Sequence, residues 1–330
     1  VETSSLSLQA SVMPNLESSS FSLESLNLWH ARLGHANFKY LCQLFPLLNK
    51  SCQQENFKCV VCELSKHIRS SYIPRMSRAP SPFDIIHSDV WGPSPVTSLT
   101  GHRYYVTFID DHTRCTWVYL MKKKSEVFPL FMSFLQMIKT QFQTVVRILR
   151  SDNGREYVSN EFRSELSKNG LLQQFSCVYT PEQNGVAERK NRSIMSVVRC
   201  LLCGMHVPKH FWDMAVLTAT YLINRTPSRV LNGTAPLHLL QPDCTLFPIL
   251  PRVFGCICFV QNRSPTRTKL DNKAIKCVFL GYSSTSKGYR CYDPITRHTY
   301  ISFDVTFLEN TPFFVGTPLS RSSSVGEAPE

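Results

Sequence analysis

A chain of 330 residues that is 43 % hydrophobic has room for two or three modules, at least one with a proper core. No apolar run approaches the roughly 18 residues of a membrane span, and no basic-then-apolar start marks a secretory signal. Lys and Arg number 36 against 24 Asp and Glu, a net of +12, which favours a polyanionic partner. Residues 1–28 carry Glu2, Glu17 and Glu24 without a Lys or Arg, so the whole basic excess lies downstream. The 13 cysteines are odd in number and scattered through apolar stretches such as Cys256 and Cys258, which points to a reducing compartment rather than a disulfide scaffold. Opening on Val1, the chain is expected to be a piece of a longer one.

In chain order, the Ser-rich residues 1–25 form a leader without periodicity. Residues 26–72 are a compact segment rich in His and Cys, and residues 73–82 a basic, Pro-rich linker. Residues 83–225 alternate strands and helices. PFDIIHSDVWG is a strand expected to end near Asp89, RYYVTFIDD and RCTWVYLMKK form an antiparallel hairpin, and VVRILRSDNG is a strand running into a turn. SEVFPLFMSFLQMIKTQF has helical spacing with Ser125 as N-cap, and SNEFRSELSKNG is a short helix stopped by Gly170. LLQQFSCV is a further strand, and VAERKNRSIMSVVRCLL and PKHFWDMAVLTATYLINR are longer helices. Residues 226–248 read as a linker, 249–312 as an all-β module most simply closed into a small barrel, and 313–330 as a Ser/Pro-rich tail.

Three acidic residues stand out by position. Asp89 lies on the first strand, Asp152 just past VVRILRS, and Glu188 early in a helix, with 35 residues between the last two. Carboxylates at strand ends, joined by a Glu one turn into a helix, suit divalent ions that serve phosphodiester chemistry. Each alone is ordinary: Asp152 in Ser-Asp-Asn-Gly is a turn former, and Glu188 beside Arg189 and Lys190 resembles a solvated helix face. A second constellation, His30 and His35 followed by Cys59 and Cys62, has the ligand types of one tetrahedral zinc. Helical spacing would bring the two imidazoles near one face, and Cys42 and Cys52 remain rival ligands. Asn153, Gln183, Asn184, Arg189, Lys190 and Arg192 flank the acidic residues and are expected to hold a DNA backbone.

These motifs resemble a known family. LWHARLGH, HSDVWGP, SDNGREY, TPEQNGVAERKNR and CVFLGYSSTSKGYRCYDP are similar to the integrase segment of copia-type LTR retrotransposon polyproteins, from about Leu28 to Phe313. The resemblance implies an α/β, ribonuclease H-like core with a five-stranded mixed sheet and flanking helices, a zinc-binding helical domain before it and a small β-barrel behind. It implies Asp89, Asp152 and Glu188 as catalytic residues holding two Mg²⁺ or Mn²⁺ ions, and one structural Zn²⁺. The expected partners are double-stranded DNA and further copies of the chain, with no membrane, acting in the nucleus after a cytoplasmic particle stage. Two rivals stand beside this: a hydrolytic nuclease of the same fold, and a DNA-binding remnant that no longer catalyses.

Overall fold

The computed structural model describes residues 23–44, 59–66, 78–175, 184–265 and 267–315. The leader up to residue 22, Cys52, Gln183 and the tail beyond residue 315 lie outside the described residues.

Three short helices come first: α1 (Leu23–Arg32), α2 (Phe38–Leu44) and α3 (Val60–Lys66). Leu26, Trp29 and Leu33 recur at the spacing of one helix face and are buried together. Asn37 starts α2, its side-chain oxygen accepting from the Lys39 amide at 2.9 Å.

The central sheet is built from β1 (Ile85–Trp91), β2 (Tyr104–Asp110), β3 (Thr116–Met121), β4 (Ile148–Ser151) and β5 (Leu172–Phe175), in the order β3-β2-β1-β4-β5. The first three are antiparallel neighbours, while β1–β4 and β4–β5 are parallel. Parallel neighbours need crossovers. These are α4 (Val127–Phe142) and α5 (Asn160–Lys168). Helix α4 buries Val127, Phe131, Phe134 and Ile138 in one apolar cluster with Ile86, Val106, Phe108 and Leu149 of the sheet. Ser159 caps α5 by accepting from the Phe162 amide at 3.2 Å, and Gly170 follows in the left-handed region. Ser125 is not the cap of α4. The Glu126 carboxylate accepts from the Lys122 and Lys123 amides at 3.1 and 2.8 Å, which draws the chain into a 3-10 turn over Lys124–Glu126, and the helix starts at Val127.

The opposite face of the sheet carries α6 (Gly185–Gly204) and α7 (Trp212–Arg225). The stretch read as a linker contains a short helix, α8 (Pro236–Leu240), begun by a proline at a position where its missing N–H costs nothing. Beyond it, β6 (Cys256–Gln261), β7 (Ala274–Tyr282), β8 (Tyr289–Asp293), β9 (His298–Ser302) and β10 (Val305–Pro312) form an antiparallel sheet ordered β10-β6-β7-β8-β9. Among the described residues no pairing joins β9 to β10, so the expected barrel is present as an open five-stranded sheet.

Two cores result. One lies between the central sheet and α4 and α5. The other is shared by α1, α2, α6, α7 and the C-terminal sheet, joining residues as distant as Leu26, Leu222 and Phe279. A half-buried ion cluster reinforces the second. Glu309 on β10 accepts from Arg32 Nε at 2.7 Å, from Arg252 Nη1 at 2.6 Å and from the Val253 amide at 3.0 Å.

Candidate active site and metal centre

Asp89 is the fifth of seven residues in β1, not its last, and it faces Thr107 of β2. Strand alternation sends Trp91 into the core under α6 and α7, and Val90 toward α4. Asp89 therefore points to the α6 side. The β1–β4 ladder ends at His87 and Arg150, which leaves Asp89 paired on one edge only. Asp152 follows β4 directly, as its sequence predicts. Its Oδ1 accepts from the Gly154 amide at 3.1 Å. A Cβ on Gly154 would lie 3.0 Å from that oxygen and 2.9 Å from Glu156 Cδ, so any larger residue there would push the Asp152 and Glu156 carboxylates aside. Glu188 is exposed in the first turn of α6.

Electrostatics ties the three together. The Asp89 carboxyl is pushed up to about 6, mainly by burial, with a hydrogen bond from Asn191 opposing and the negative charges of Asp152 and Glu188 adding to the rise. That bond, from Asn191 Nδ2 to Asp89 Oδ2, is 2.8 Å long. Asn191 was missed in the sequence, although it lies one helical turn beyond Glu188 and so on the same face. A site with crowded carboxylates and a raised pKa has the donor chemistry that hard divalent cations relieve.

The residues expected to hold DNA separate into two groups. Asn153, Arg189 and Arg192 are exposed beside the carboxylates. Asn184 is buried and donates from Nδ2 to the Ser88 carbonyl at 3.2 Å. Lys190 turns into the protein, donating from Nζ to the Arg114 carbonyl at 3.2 Å, and burial pulls its pKa down to about 8. Arg114 in turn pairs with Asp111 at 2.9 Å, and Asp111 accepts from His87 Nε2 at 2.8 Å. This buried chain fastens α6 to the β2–β3 turn, and no local sequence signal announces it.

The second centre is nearly closed. The ligand atoms of His30, His35, Cys59 and Cys62 all lie within 4.8 Å of one another. Tetrahedral zinc would set its nitrogen and sulfur ligands about 3.3–3.8 Å apart. His30 Nε2 stands 3.1 Å from Cys62 Sγ, and His35 Nδ1 3.3 Å from Cys59 Sγ. His30 Nδ1 donates to the Ala36 carbonyl at 2.8 Å, which puts the ring's lone pair on Nε2, the atom that would ligate. Helical spacing does not unite the imidazoles, because α1 ends at Arg32. Instead, the His35 amide bonds to the His30 carbonyl and the Gly34 amide to the Ala31 carbonyl, a capping turn that folds His35 back. Gly34 takes φ +65°, and a Cβ there would meet Val197 at 2.9 Å. The described residues thus seat all four expected ligands without Cys42. Among them, this tetrad is the group of three or more His, Cys, Asp or Glu side chains tight enough for one ion, and the carboxylate site is more open.

Residues 3–67 match the GAG-pre-integrase domain family, 79–181 the integrase core domain family and 256–321 the retroviral polymerase SH3-like domain family. The chain is 39 % identical over 288 residues to the retrovirus-related Pol polyprotein from transposon TNT 1-94 of Nicotiana tabacum, covering 87 % of this chain and 22 % of that protein. It is 37 % identical over 301 residues to the corresponding polyprotein from transposon RE2 of Arabidopsis thaliana, covering 90 % of this chain and 20 % of that one. The chain therefore spans about a fifth of the length of these relatives. Among solved structures, it is similar to the HTLV-2 integrase catalytic core domain in complex with magnesium, with a TM-score of 0.37 and 19 % identity over 49 % of this chain and 99 % of that one. A simian T-cell lymphotropic virus intasome in complex with PP2A regulatory subunit B56 gamma has a TM-score of 0.43 and 15 % identity over 79 % and 93 %.

Proposed function

We propose, from the premise that this chain belongs to the integrase segment of copia-type retrotransposon polyproteins, that it joins the ends of element DNA to target DNA. The observation that carries this reading is the set of three carboxylates whose charges bear on one another at the open edge of β1 and the start of α6. The enzyme trims or binds the element ends, and the terminal 3′-hydroxyl then attacks a target phosphodiester. The new phosphorus–oxygen bond replaces the one broken, so the number of phosphodiesters is conserved and no external energy source is needed.

Asp89, Asp152 and Glu188 would hold the two Mg²⁺ or Mn²⁺ ions. Bound there, such ions activate the attacking oxygen and stabilise the leaving one. Asn191 orients the Asp89 carboxylate through its 2.8 Å bond. Arg189, Arg192 and Asn153, exposed beside the site, supply contacts to the DNA backbone, which position the duplex without reading its sequence. Gln183, outside the described residues, is proposed for the same role, while Asn184 acts from below the surface through the Ser88 carbonyl. His30, His35, Cys59 and Cys62 would hold one structural Zn²⁺.

Joining two ends of one element requires at least two active sites, so the working form is a multimer on double-stranded DNA. Its work belongs in the nucleus, after a particle stage in the cytoplasm. The test is a strand-transfer assay with purified protein, short duplex ends, a target duplex and Mg²⁺ or Mn²⁺. Joined strands are the expected product. Shortened strands alone would favour the hydrolytic nuclease, and bound but unaltered DNA the catalytically idle remnant.

A further inference from the structure

Residue 88 touches all three segments that carry the catalytic carboxylates. Its own strand carries Asp89 at the next position. Its hydroxyl lies 2.7 Å from the hydroxyl of Tyr157, five residues beyond Asp152. Its carbonyl accepts from Asn184, four residues before Glu188. That carbonyl is free for Asn184 because the β1–β4 ladder stops at His87. Ser88 and Tyr157 are 0 % exposed and Asn184 is 2 % exposed, so water does not compete for these bonds.

Stability alone does not call for the hydroxyl pair. Tyr157 packs edge-on against Phe162 in the apolar core beneath the sheet. An Ala and a Phe there would fill nearly the same space with no polar atom to desolvate, an exchange that is often nearly neutral when both partners go together. A directional bond adds something apolar packing does not, because it fixes how far the Asp152 turn slides along β1. Among the described residues, no strand pairing extends beyond Ser151 to set that register.

We infer that Ser88 and Tyr157 are positioning residues, whose hydroxyl pair sets Asp152 relative to Asp89 while Asn184 sets the start of α6 on the same residue. The inference rests on the strand-transfer reading above. Neither residue touches DNA in this role; each acts through the carboxylates.

The test uses the full chain as wild type, Tyr157→Phe, Ser88→Ala and the double variant. Two quantities are read: Mn²⁺ affinity by calorimetry without DNA, and joining rate with its dependence on DNA concentration. Each single variant should bind Mn²⁺ several-fold more weakly. Each should join about tenfold or more slowly at saturating DNA, with KM for DNA unchanged, since a shift of about 1 Å at the reacting centre can cost a hundredfold. The double variant should be as defective as either single one. If the double variant instead regains wild-type affinity and rate, the loss came from a stranded buried hydroxyl and the inference is overturned. Values within twofold of wild type in both single variants overturn it equally. Ser88→Ala carries the test should Tyr157→Phe fail to fold. A wild-type chain that binds Mn²⁺ but joins no DNA would defeat the strand-transfer reading, and the positioning role would then be decided by the Mn²⁺ titrations.

Discussion

The two candidate metal sites lie at opposite ends of one helix and are built on opposite electrostatics. Glu188 lies in the first turn of α6, while Gly204, its last residue, lies beside His35 Nε2. The His/Cys tetrad can be neutral, so nothing opposes the convergence of its ligand atoms within 4.8 Å. The carboxylates repel, and Asp89 registers it as a pKa pushed up to about 6 by burial and by its acidic neighbours. One site is thus shaped by the fold, and the other is left for its ions to complete. The same helix serves both, since Ser196 and Arg199 hold the Ser65 carbonyl of α3 at 3.3–3.4 Å.

The largest effect should come from Asp152→Asn, which removes a charge needed only by the cations. Joining should be abolished, while melting temperature and DNA affinity stay close to wild type or rise slightly as repulsion eases. A joining rate near wild type would remove Asp152 from the active site. Cys59→Ser attacks the other centre and should behave in the opposite way. Zinc content should fall from about one ion per chain to near none. Hydrogen exchange should accelerate over residues 59–66, while Leu26, Trp29 and Leu33 keep α1 in the shared core. Well-folded wild-type protein without zinc on elemental analysis would contradict the centre altogether.

Acidity should separate the two sites less steeply. A carboxyl whose pKa is raised is protonated more readily in the folded chain than in the unfolded one. In the metal-free protein, Asp89 therefore contributes stability that is fully present below its ordinary value of 3.8 and is lost as pH rises through about 6. Mn²⁺ binding runs the other way, because the proton must leave first. Apparent affinity should fall by about tenfold per pH unit below that value and level off above it, and a calorimetric series from pH 5 to 8 would check this. An affinity flat across that range would mean that Asp89 is not a ligand.

The smallest expected effects lie among the basic residues beside Glu188. Arg192→Ala should make the slope of log affinity against log salt shallower by about one, the share of one phosphate contact. Lys190→Ala should leave that slope unchanged and lower thermal stability instead, since its ammonium is spent on the Arg114 carbonyl. Equal changes of slope in both variants would place Lys190 on the DNA after all.

What the sequence made legible was local. Asp152 beside Asn153 and Gly154, the capped α5 and the β2–β3 hairpin follow from neighbours within a few residues, and they stand where they were expected. The His30, His35, Cys59 and Cys62 tetrad was readable by residue type, but the route that unites it was not, since it depends on Gly34 tolerating a left-handed turn. Lys190, like Arg189 and Arg192, reads as a cation placed to hold DNA, and the structure turns it inward instead. What separates it is the Arg114 carbonyl, 76 positions away in the chain, and spacing along one helix cannot reveal such a partner. Ser88 and Tyr157 were silent for the same reason, because a buried hydroxyl declares its purpose only when its mate is in view.

The cluster at Glu309 limits how such a segment can diversify. Arg32 precedes the catalytic sheet and Glu309 follows it, 277 positions apart, with Arg252 sharing the same carboxylate. A recombination crossover between diverged elements, placed anywhere between Arg32 and Arg252, would bring one parent's first helix against the other parent's last sheet. Unless both parents kept the acid and its two arginines, a half-matched cluster would strand a half-buried charge, a defect that costs up to about 3–5 kcal/mol. Front and rear modules are therefore constrained to be inherited as a matched set.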